Sequence, residues 1–262
     1  MNDAVCIVSA APVRADHSDR SEMVTQLLFG EYLEILHEHG GWSFIRSRFD
    51  SYEGWVDRLQ VQRVNVSPQI RGSQWYICSQ RCTELRNPVK GNSIYVPLGC
   101  RMLSDDSGNL ILAGSIYQDF LHGFIQVSDQ PKGDVVQLAR SLINAPYLWG
   151  GKTPLGYDCS GLVQIVYQVC GYALPRDANQ QIEFGEEVSF ATEARAGDLA
   201  FFEGSGGDVV HVGILDGAGG IIHSSGIVRR DAFDHQGIYN SDLKRYTHRL
   251  KVIKRLSAGL CV

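Results

Sequence analysis

Cys159 stands in Gly156-Tyr-Asp-Cys-Ser-Gly-Leu-Val, at the head of an apolar run that ends at Gly171. A cysteine in the first turn of a helix meets unpaired N–H groups and partial positive charge. Both favour a thiolate, the form of cysteine that attacks carbon. Asp158 opposes that charge slightly, so activation is not its task, while Ser160 and Gly161 keep the turn small and open to substrate. A nucleophile of this kind needs a base, a group that orients the base, and donors for an oxyanion. His211, in Val-Val-His-Val-Gly-Ile-Leu, is the candidate base, and His223, in Gly-Ile-Ile-His-Ser-Ser-Gly, the candidate orienter. Asp216-Gly-Ala-Gly-Gly220 between them reads as a hairpin turn. A hairpin centred on Gly217 sets His211 and His223 directly opposite each other, with Cβ atoms roughly 4.5–5.5 Å apart. A slip of one residue would send them to opposite faces. The backbone N–H of Cys159 and the hydroxyl of Tyr147 are the candidate oxyanion donors. Plainer readings exist for each residue alone: a buried helical cysteine, as expected for Cys170, a core histidine, or a tyrosine packed beside Trp149. The set taken together favours nucleophilic chemistry.

The elements that must position these groups follow from pattern. Residues 135–143 have helical spacing, and residues 158–171 read as a helix capped by Asp158 and stopped by Gly171. Strands follow at 198–202, 209–215 and 220–224. A helix followed by an antiparallel sheet gives an α+β domain over 134–262. Residues 1–65 are all-β in pattern, with apolar runs at 5–8, 26–28, 32–36, 42–45 and 54–56 separated by turn residues. Residues 31–36 alternate polar and apolar, as a half-buried strand does. Closing such short strands into a barrel removes exposed edges. Residues 66–128 repeat the flavour with Gly91, Gly99, Gly114 and Pro97, and read as a second, divergent barrel. Ser128-Asp-Gln-Pro-Lys-Gly-Asp134 reads as a linker.

Composition excludes several classes. A chain of 262 residues holds two or three small domains. The net charge of -5, without basic runs, argues against a nucleic-acid partner. No stretch approaches the ~20 apolar residues of a membrane span. The N-terminal apolar run is short and β-branched and lacks a basic segment, so it reads as a strand and not as a secretory signal. The seven cysteines at 6, 78, 82, 100, 159, 170 and 261 are odd in number and scattered. That is not a disulfide framework, and a cytoplasmic location is expected. Cys78, Cys82 and Cys100 lack a fourth ligand and proper spacing for zinc, so no metal or cofactor is expected. The oligomeric state is left open.

Several ordered motifs carry a resemblance. Tyr147-Leu-Trp-Gly-Gly, Gly156-Tyr-Asp-Cys-Ser-Gly-Leu-Val, Leu174-Pro-Arg-Asp with Gln180-Gln181, Arg195-Ala-Gly-Asp-Leu-Ala-Phe-Phe and His211-Val-Gly-Ile resemble the NlpC family of papain-like cysteine peptidases. The likeness covers residues 134 to about 255. It implies a catalytic set of Cys159, His211 and His223. Gly30-Glu-Tyr-Leu-Glu-Ile-Leu, Gly41-Trp-Ser-Phe-Ile-Arg and Tyr52-Glu-Gly-Trp-Val resemble a bacterial SH3-like domain. Two small all-β SH3-like barrels before a papain-like domain resemble the dipeptidyl-peptidase VI branch. That branch implies a γ-D-glutamyl-L-diamino acid endopeptidase acting on murein tripeptides and tetrapeptides with a free N-terminal L-Ala, in peptidoglycan recycling in the cytoplasm. In such enzymes the first barrel narrows the cleft and helps select the free amine.

Elementary electrostatics agrees with an amine gate. A buried carboxylate that pairs only with an ammonium rejects the capped substrate, because its charge is then left unpaired. Glu22 and Asp158 are the candidate carboxylates, and Tyr52 offers a hydroxyl or a ring wall. Arg176 is a candidate for the D-Glu α-carboxylate, against a structural role with Asp177 or a loop carbonyl. Ser160 completes the candidate binding set. Three other readings stay open: a wall hydrolase acting on intact peptidoglycan, a papain-like acyltransferase or amidase, and a wall-binding module with a dead peptidase domain.

Overall fold

The computed structural model describes residues 2–65, 74–105, 107–119, 122–127 and 133–257. Cys261, most of the 128–134 stretch and the start of the second β segment lie outside the described residues. The chain divides into two compact units, residues 1–128 and 129–262. Among the described residues no helix is long and apolar enough to cross a membrane.

The first unit holds two antiparallel sheets of seven strands each. The first sheet runs from Asp3–Cys6 to Val61–Arg63, with Tyr32–His39, Trp42–Ser47 and Glu53–Asp57 at its middle. The alternation in residues 31–36 is realised: Leu33 and Ile35 point into a core with Ala4, Cys6, Val13, Leu27, Ile45 and Val56. The second sheet runs from Gln74–Cys78 to Phe124–Gln126. Aromatic contacts join the two sheets: the Phe29 and Tyr117 rings meet edge-on at 5.4 Å, and the Arg101 guanidinium lies 5.2 Å from the Trp75 ring and 5.7 Å from that of Phe49. Gly30 makes this approach feasible. Its φ is +87°, and a Cβ there would stand 2.4 Å from the carbonyl oxygen of Arg101. Glu22 is exposed and Tyr52 half-buried, both within this unit.

The second unit is α+β. Helix α1 spans Val135–Ser141, with Asp134 as its cap: the carboxylate accepts from the N–H groups of Val136 and Gln137, each at 2.9 Å. Helix α2 spans Cys159–Val169. Every residue from Ser160 to Val169 is buried, so α2 is a central helix apolar on nearly all sides. It ends as its sequence predicts, with Gly171 at φ +91° and Tyr172 N–H donating to the Tyr167 carbonyl. Helix α3 is one short turn, Ala178–Gln181.

Seven strands make the sheet: β1 (Glu186–Val188), β2 (Leu199–Glu203), β3 (Val209–Leu215), β4 (Gly220–Ser225), β5 (Ile227–Asp234), β6 (Gly237–Asn240) and β7 (Arg245–Arg255). They pair in the order β1-β7-β2-β3-β4-β5-β6, and β6 pairs back onto β7. Strands β2 to β7 therefore close on themselves, with β1 added outside. Helix α2 packs against β3 and β4.

The β3–β4 register differs from that predicted by a turn centred on Gly217. Ile214 pairs with Ile222 and Leu215 with Ile221, which moves the centre to Ala218. Continuing this register sets Gly213, not His211, opposite His223. The shift is two residues, and side chains alternate with period two, so both histidines stay on one face as diagonal neighbours.

Asp216 fixes that turn. Its carboxylate is buried and accepts from Ala218 N–H at 2.8 Å, Gly220 N–H at 2.9 Å and Arg230 Nε at 2.7 Å. Gly220 leaves room for Arg230, whose guanidinium would stand 2.4 Å from a Cβ there. Asp216→Ala removes an acceptor from two turn amides and from the guanidiniums of Arg230 and Arg140. The expected cost is about 2 kcal/mol or more, read as a lower urea midpoint for the second unit. An unchanged midpoint would show that the turn holds itself without this carboxylate.

Candidate active site

Asp158 is the N-cap of α2, and its carboxylate is the hub of the loop before it. Oδ1 accepts the Gly161 N–H at 2.6 Å and Oδ2 the Gly150 N–H at 2.9 Å. Arg176, only 1% exposed, grips both oxygens, NH1 to Oδ1 at 3.0 Å and NH2 to Oδ2 at 2.5 Å. The same NH1 donates to the Ser160 hydroxyl at 2.9 Å. A bidentate guanidinium–carboxylate pair is rigid and directional. Gly161 is required by close approach, since a Cβ there would lie 2.3 Å from the Gly151 carbonyl oxygen.

This network joins three of the candidate binding residues. Arg176 pairs with Asp158 and donates to Ser160, and the Ser160 hydroxyl also donates to Asp158 Oδ1 at 3.3 Å.

The network leaves Cys159 at the first position of α2, half-buried, with its own N–H and that of Ser160 unclaimed by the cap. Burial first, and then the charge of Asp158, pushes the thiol up to about 11. The N–H groups of Val212 and Ser160 and the Arg176 guanidinium oppose this and lose. The helix terminus was expected to depress the thiol, but desolvation outweighs it. The Val212 N–H that bonds the sulfur belongs to β3, next in the chain to His211.

His211 and His223 meet as expected, though diagonally. His211 Nε2 and His223 Nδ1 are 2.8 Å apart, and both residues are buried. Gly213 makes the diagonal feasible: a Cβ there would stand 2.9 Å from the Cβ of His223 and 2.7 Å from Ile221. A third member extends the chain. His223 Nε2 lies 3.0 Å from Asp231 Oδ2, and Arg229 donates to Asp231 Oδ1 at 2.8 Å. Burial works against the Asp231 anion, but the bonds from His223 and Arg229 prevail and hold its carboxyl below the usual range.

These bonds assign the tautomers. An ionised carboxylate only accepts, so neutral His223 carries its hydrogen on Nε2. Its Nδ1 is then an acceptor, and His211 donates from Nε2. The Nδ1 lone pair of His211 is left over as a base. Burial, with His223 and His248 beside it, holds the His211 imidazole well below its ordinary value and therefore neutral. The resting pair is thus thiol and imidazole, and the thiolate forms as the proton moves.

Tyr147 flanks the site from the other side. Its N–H donates to the Gly226 carbonyl at 3.0 Å, and its backbone bridges to Tyr157, two residues before Cys159. Burial and the nearby Cys159 raise its phenol. Tyr147 is 37% exposed. Glu22 and Tyr52 belong to the first unit.

Three residues escaped the sequence reading: Gly213, Asp231 and His248. Asp231 sits one strand beyond His223, at a diagonal position on β5, where Arg229 pairs with His223 in register. His248 on β7 stacks on His211 with ring centroids 4.2 Å apart. Among the described residues no group of three His, Cys, Asp or Glu is arranged to hold a metal ion. None of the six described cysteines is in a disulfide.

Comparison with known proteins adds the family context. Residues 144–249 match the NlpC/P60 family, and residues 13–60 match the bacterial dipeptidyl-peptidase Sh3 domain. A γ-D-glutamyl-L-lysine dipeptidyl-peptidase of Bacillus subtilis is 30% identical over 76% of this chain and 71% of its own length. Dipeptidyl-peptidase 6 of Lysinibacillus sphaericus is 29% identical over 92% of this chain and 96% of its own. The crystal structure of an NlpC/P60 family protein from Bacillus cereus superimposes with a TM-score of 0.82, at 20% identity, over 97% of this chain and 99% of that one. That likeness shows the fold.

The Asp158–Arg176 pair is open to direct test. Arg176→Met leaves a buried carboxylate without its cation, a change of about 3–5 kcal/mol in unfolding free energy. Thermal unfolding should show a clear loss, and cleavage should fall with it as the loop before Cys159 loosens. A variant as stable as the parent would show that the two backbone amides suffice to hold Asp158.

Proposed function

The chain belongs to the NlpC/P60 family, and from that premise we propose that it is a cysteine peptidase of murein peptides. In this reading it cuts the bond between the γ-carboxyl of D-Glu and a diamino acid, in peptides with a free N-terminal L-Ala. It releases L-Ala-γ-D-Glu, as an enzyme of peptidoglycan recycling would. The observation that carries the reading is the hydrogen-bonded chain of His211, His223 and Asp231, on strands beside the Val212 N–H that bonds the Cys159 sulfur. Two relatives that match most of this chain are dipeptidyl-peptidases by name, and the name of the Bacillus subtilis one, a γ-D-glutamyl-L-lysine dipeptidyl-peptidase, supports the choice of bond.

The geometry supplies each step. The substrate carbonyl approaches Cys159, and the thiol proton moves to Nδ1 of His211 as sulfur bonds to carbon. The oxyanion is met by the Cys159 N–H at the helix terminus and by the Tyr147 hydroxyl. His211, now an imidazolium, keeps its orientation through His223, and the Asp231 anion lies one ring further on. It returns the proton to the leaving amine of the diamino acid, and the thioester forms. Water then attacks the thioester, giving its proton to His211, and the γ-carboxylate leaves as Cys159 is restored. A neutral thiol and a neutral His211 at rest mean that neither reacting group is charged until the transition state needs it.

Selection for the free amine belongs to the same reading. In this reading a carboxylate, Glu22 or Asp158, meets the amine, and Tyr52 offers a hydroxyl or a ring wall.

Mass spectrometry after incubation with two substrates tests the proposal: free L-Ala-γ-D-Glu-diaminopimelate, and the same stem attached to muramic acid. Only the free peptide should yield L-Ala-γ-D-Glu. Equal cleavage of both would make this a hydrolase of intact wall, and cleavage of neither would favour an acyltransferase or a binding protein. Cys159→Ala should lose on the order of 10³-fold or more in rate with the fold intact. His223→Ala, which disturbs only the orientation of the base, should lose less than His211→Ala.

A further inference from the structure

His248 lies on β7, yet its ring is part of the site on β3. It stacks on His211 with centroids 4.2 Å apart and planes 25° from parallel. Its placement is built into the backbone. His248 pairs with Ile238 across β6, at a point where β6 and β7 shift register. There Gly237 adopts φ +135°, and a Cβ at that position would stand 1.9 Å from the His248 carbonyl oxygen. Thr247 Oγ1 lies 2.9 Å from His248 Nδ1. His248 also lines a polar groove with Glu203, His235, Tyr246 and Arg249, whereas His211, on which it stacks, is buried.

We propose that His248 is a positioning residue that clamps the plane of the His211 imidazole and seals it from solvent. The hydrogen bond to His223 fixes one ring atom of His211 but permits rotation about that bond. A flat ring stacked on its face removes that freedom. The seal also keeps water from solvating a charged His211, so the base stays neutral. His248 suits this task because it is itself held neutral: burial, with His223 beside it, takes it down to about 4. A cation stacked on His211 would oppose the imidazolium that forms during turnover.

The groups facing His211 are His223 from β4 with Asp231 of β5 behind it, His248 from β7, and the Phe202 ring of β2 at 5.9 Å, and the N–H of its chain neighbour Val212 meets the Cys159 sulfur from α2. Those facing His248 are His223 at 5.7 Å with the Asp231 anion acting through it, Phe202 at 5.9 Å and, along the groove, His235, Tyr246 and the ion pair of Glu203 and Arg249 at 3.2 Å. None of the others presents a ring in a stacked arrangement on His211. The sign of the pH effect follows. Opening the seal lets His211 accept a proton at higher pH, so the acid limb of kcat/KM moves up toward the ordinary imidazole value of about 6.5.

The inference rests on the peptidase reading, and the test separates the two. His248→Ala and His248→Phe are compared with the parent by kcat and KM on the murein tripeptide, by the pH profile, and by NMR titration of the His211 ring, which needs no substrate. The alanine variant is expected to lose on the order of tenfold in kcat with little change in KM. Its acid limb and its His211 titration should both shift upward. The phenylalanine variant, which restores a flat ring, is expected to return close to the parent in all three. If alanine unfolds the domain, His248→Leu fills the volume without a stacking ring and should behave as described for alanine. Phenylalanine as damaging as alanine or leucine would overturn the proposal, as would an unmoved His211 titration in the ringless variants. A shifted titration in a protein that cleaves no murein peptide would retain the clamp and remove the peptidase reading.

Discussion

The hydrogen bond between His211 Nε2 and His223 Nδ1 is the interaction on which the rest of the second unit depends. It has a direction, set at its far end. Asp231, held as an anion by Arg229 and His223, can only accept, and each ring passes that constraint to the next. The result is a lone pair on one nitrogen of His211, next to the strand residue whose N–H meets the Cys159 sulfur. Three adjacent strands supply the three members, so sheet register is a chemical variable here. Asp216 at the β3–β4 turn and Gly213 at the crossing point are its structural guarantors.

A second buried carboxylate organises the nucleophile in parallel. Asp158 collects two backbone amides and a bidentate guanidinium, and so joins the loop before the helix, the helix cap and the segment carrying Arg176. A buried ion pair of this kind is weak evidence for net stability, since desolvation offsets attraction. Its value is geometric, because it fixes where the first turn of α2 begins. The two hubs approach the thiol from opposite sides, one through the helix and one through the sheet. Neither makes the resting thiol an anion, because the desolvation that makes the site dry also disfavours the charge.

Much of this was legible in the residues. The cap at Asp158, the stop at Gly171 and the strand pattern around His211 and His223 are local signals, and each is realised. The register was misread by two residues because a turn rich in glycine admits more than one centre, and the pairing is decided by Asp216 and Arg230 together. The role of Arg176 was hidden since its partner lies 18 positions away, across a contact that no periodicity reports. Asp231 and His248 were invisible for a similar reason: each sits in a strand of mixed, weakly alternating residues, and strand order alone brings β5 beside β4 and β7 within one strand of β3.

The direction of the histidine chain is the central claim, and it can be read from the ring nitrogens themselves. Two-bond ¹H–¹⁵N correlation spectra of histidine-labelled protein at neutral pH, with His211 and His223 assigned by single substitution, distinguish the two neutral tautomers from the imidazolium. Both rings should show the pattern of hydrogen on Nε2, and in an Asp231→Leu variant that fixed tautomer should give way to a mixture. A His211 ring carrying its hydrogen on Nδ1, or charged at rest, would contradict the account, because no lone pair would then face the thiol.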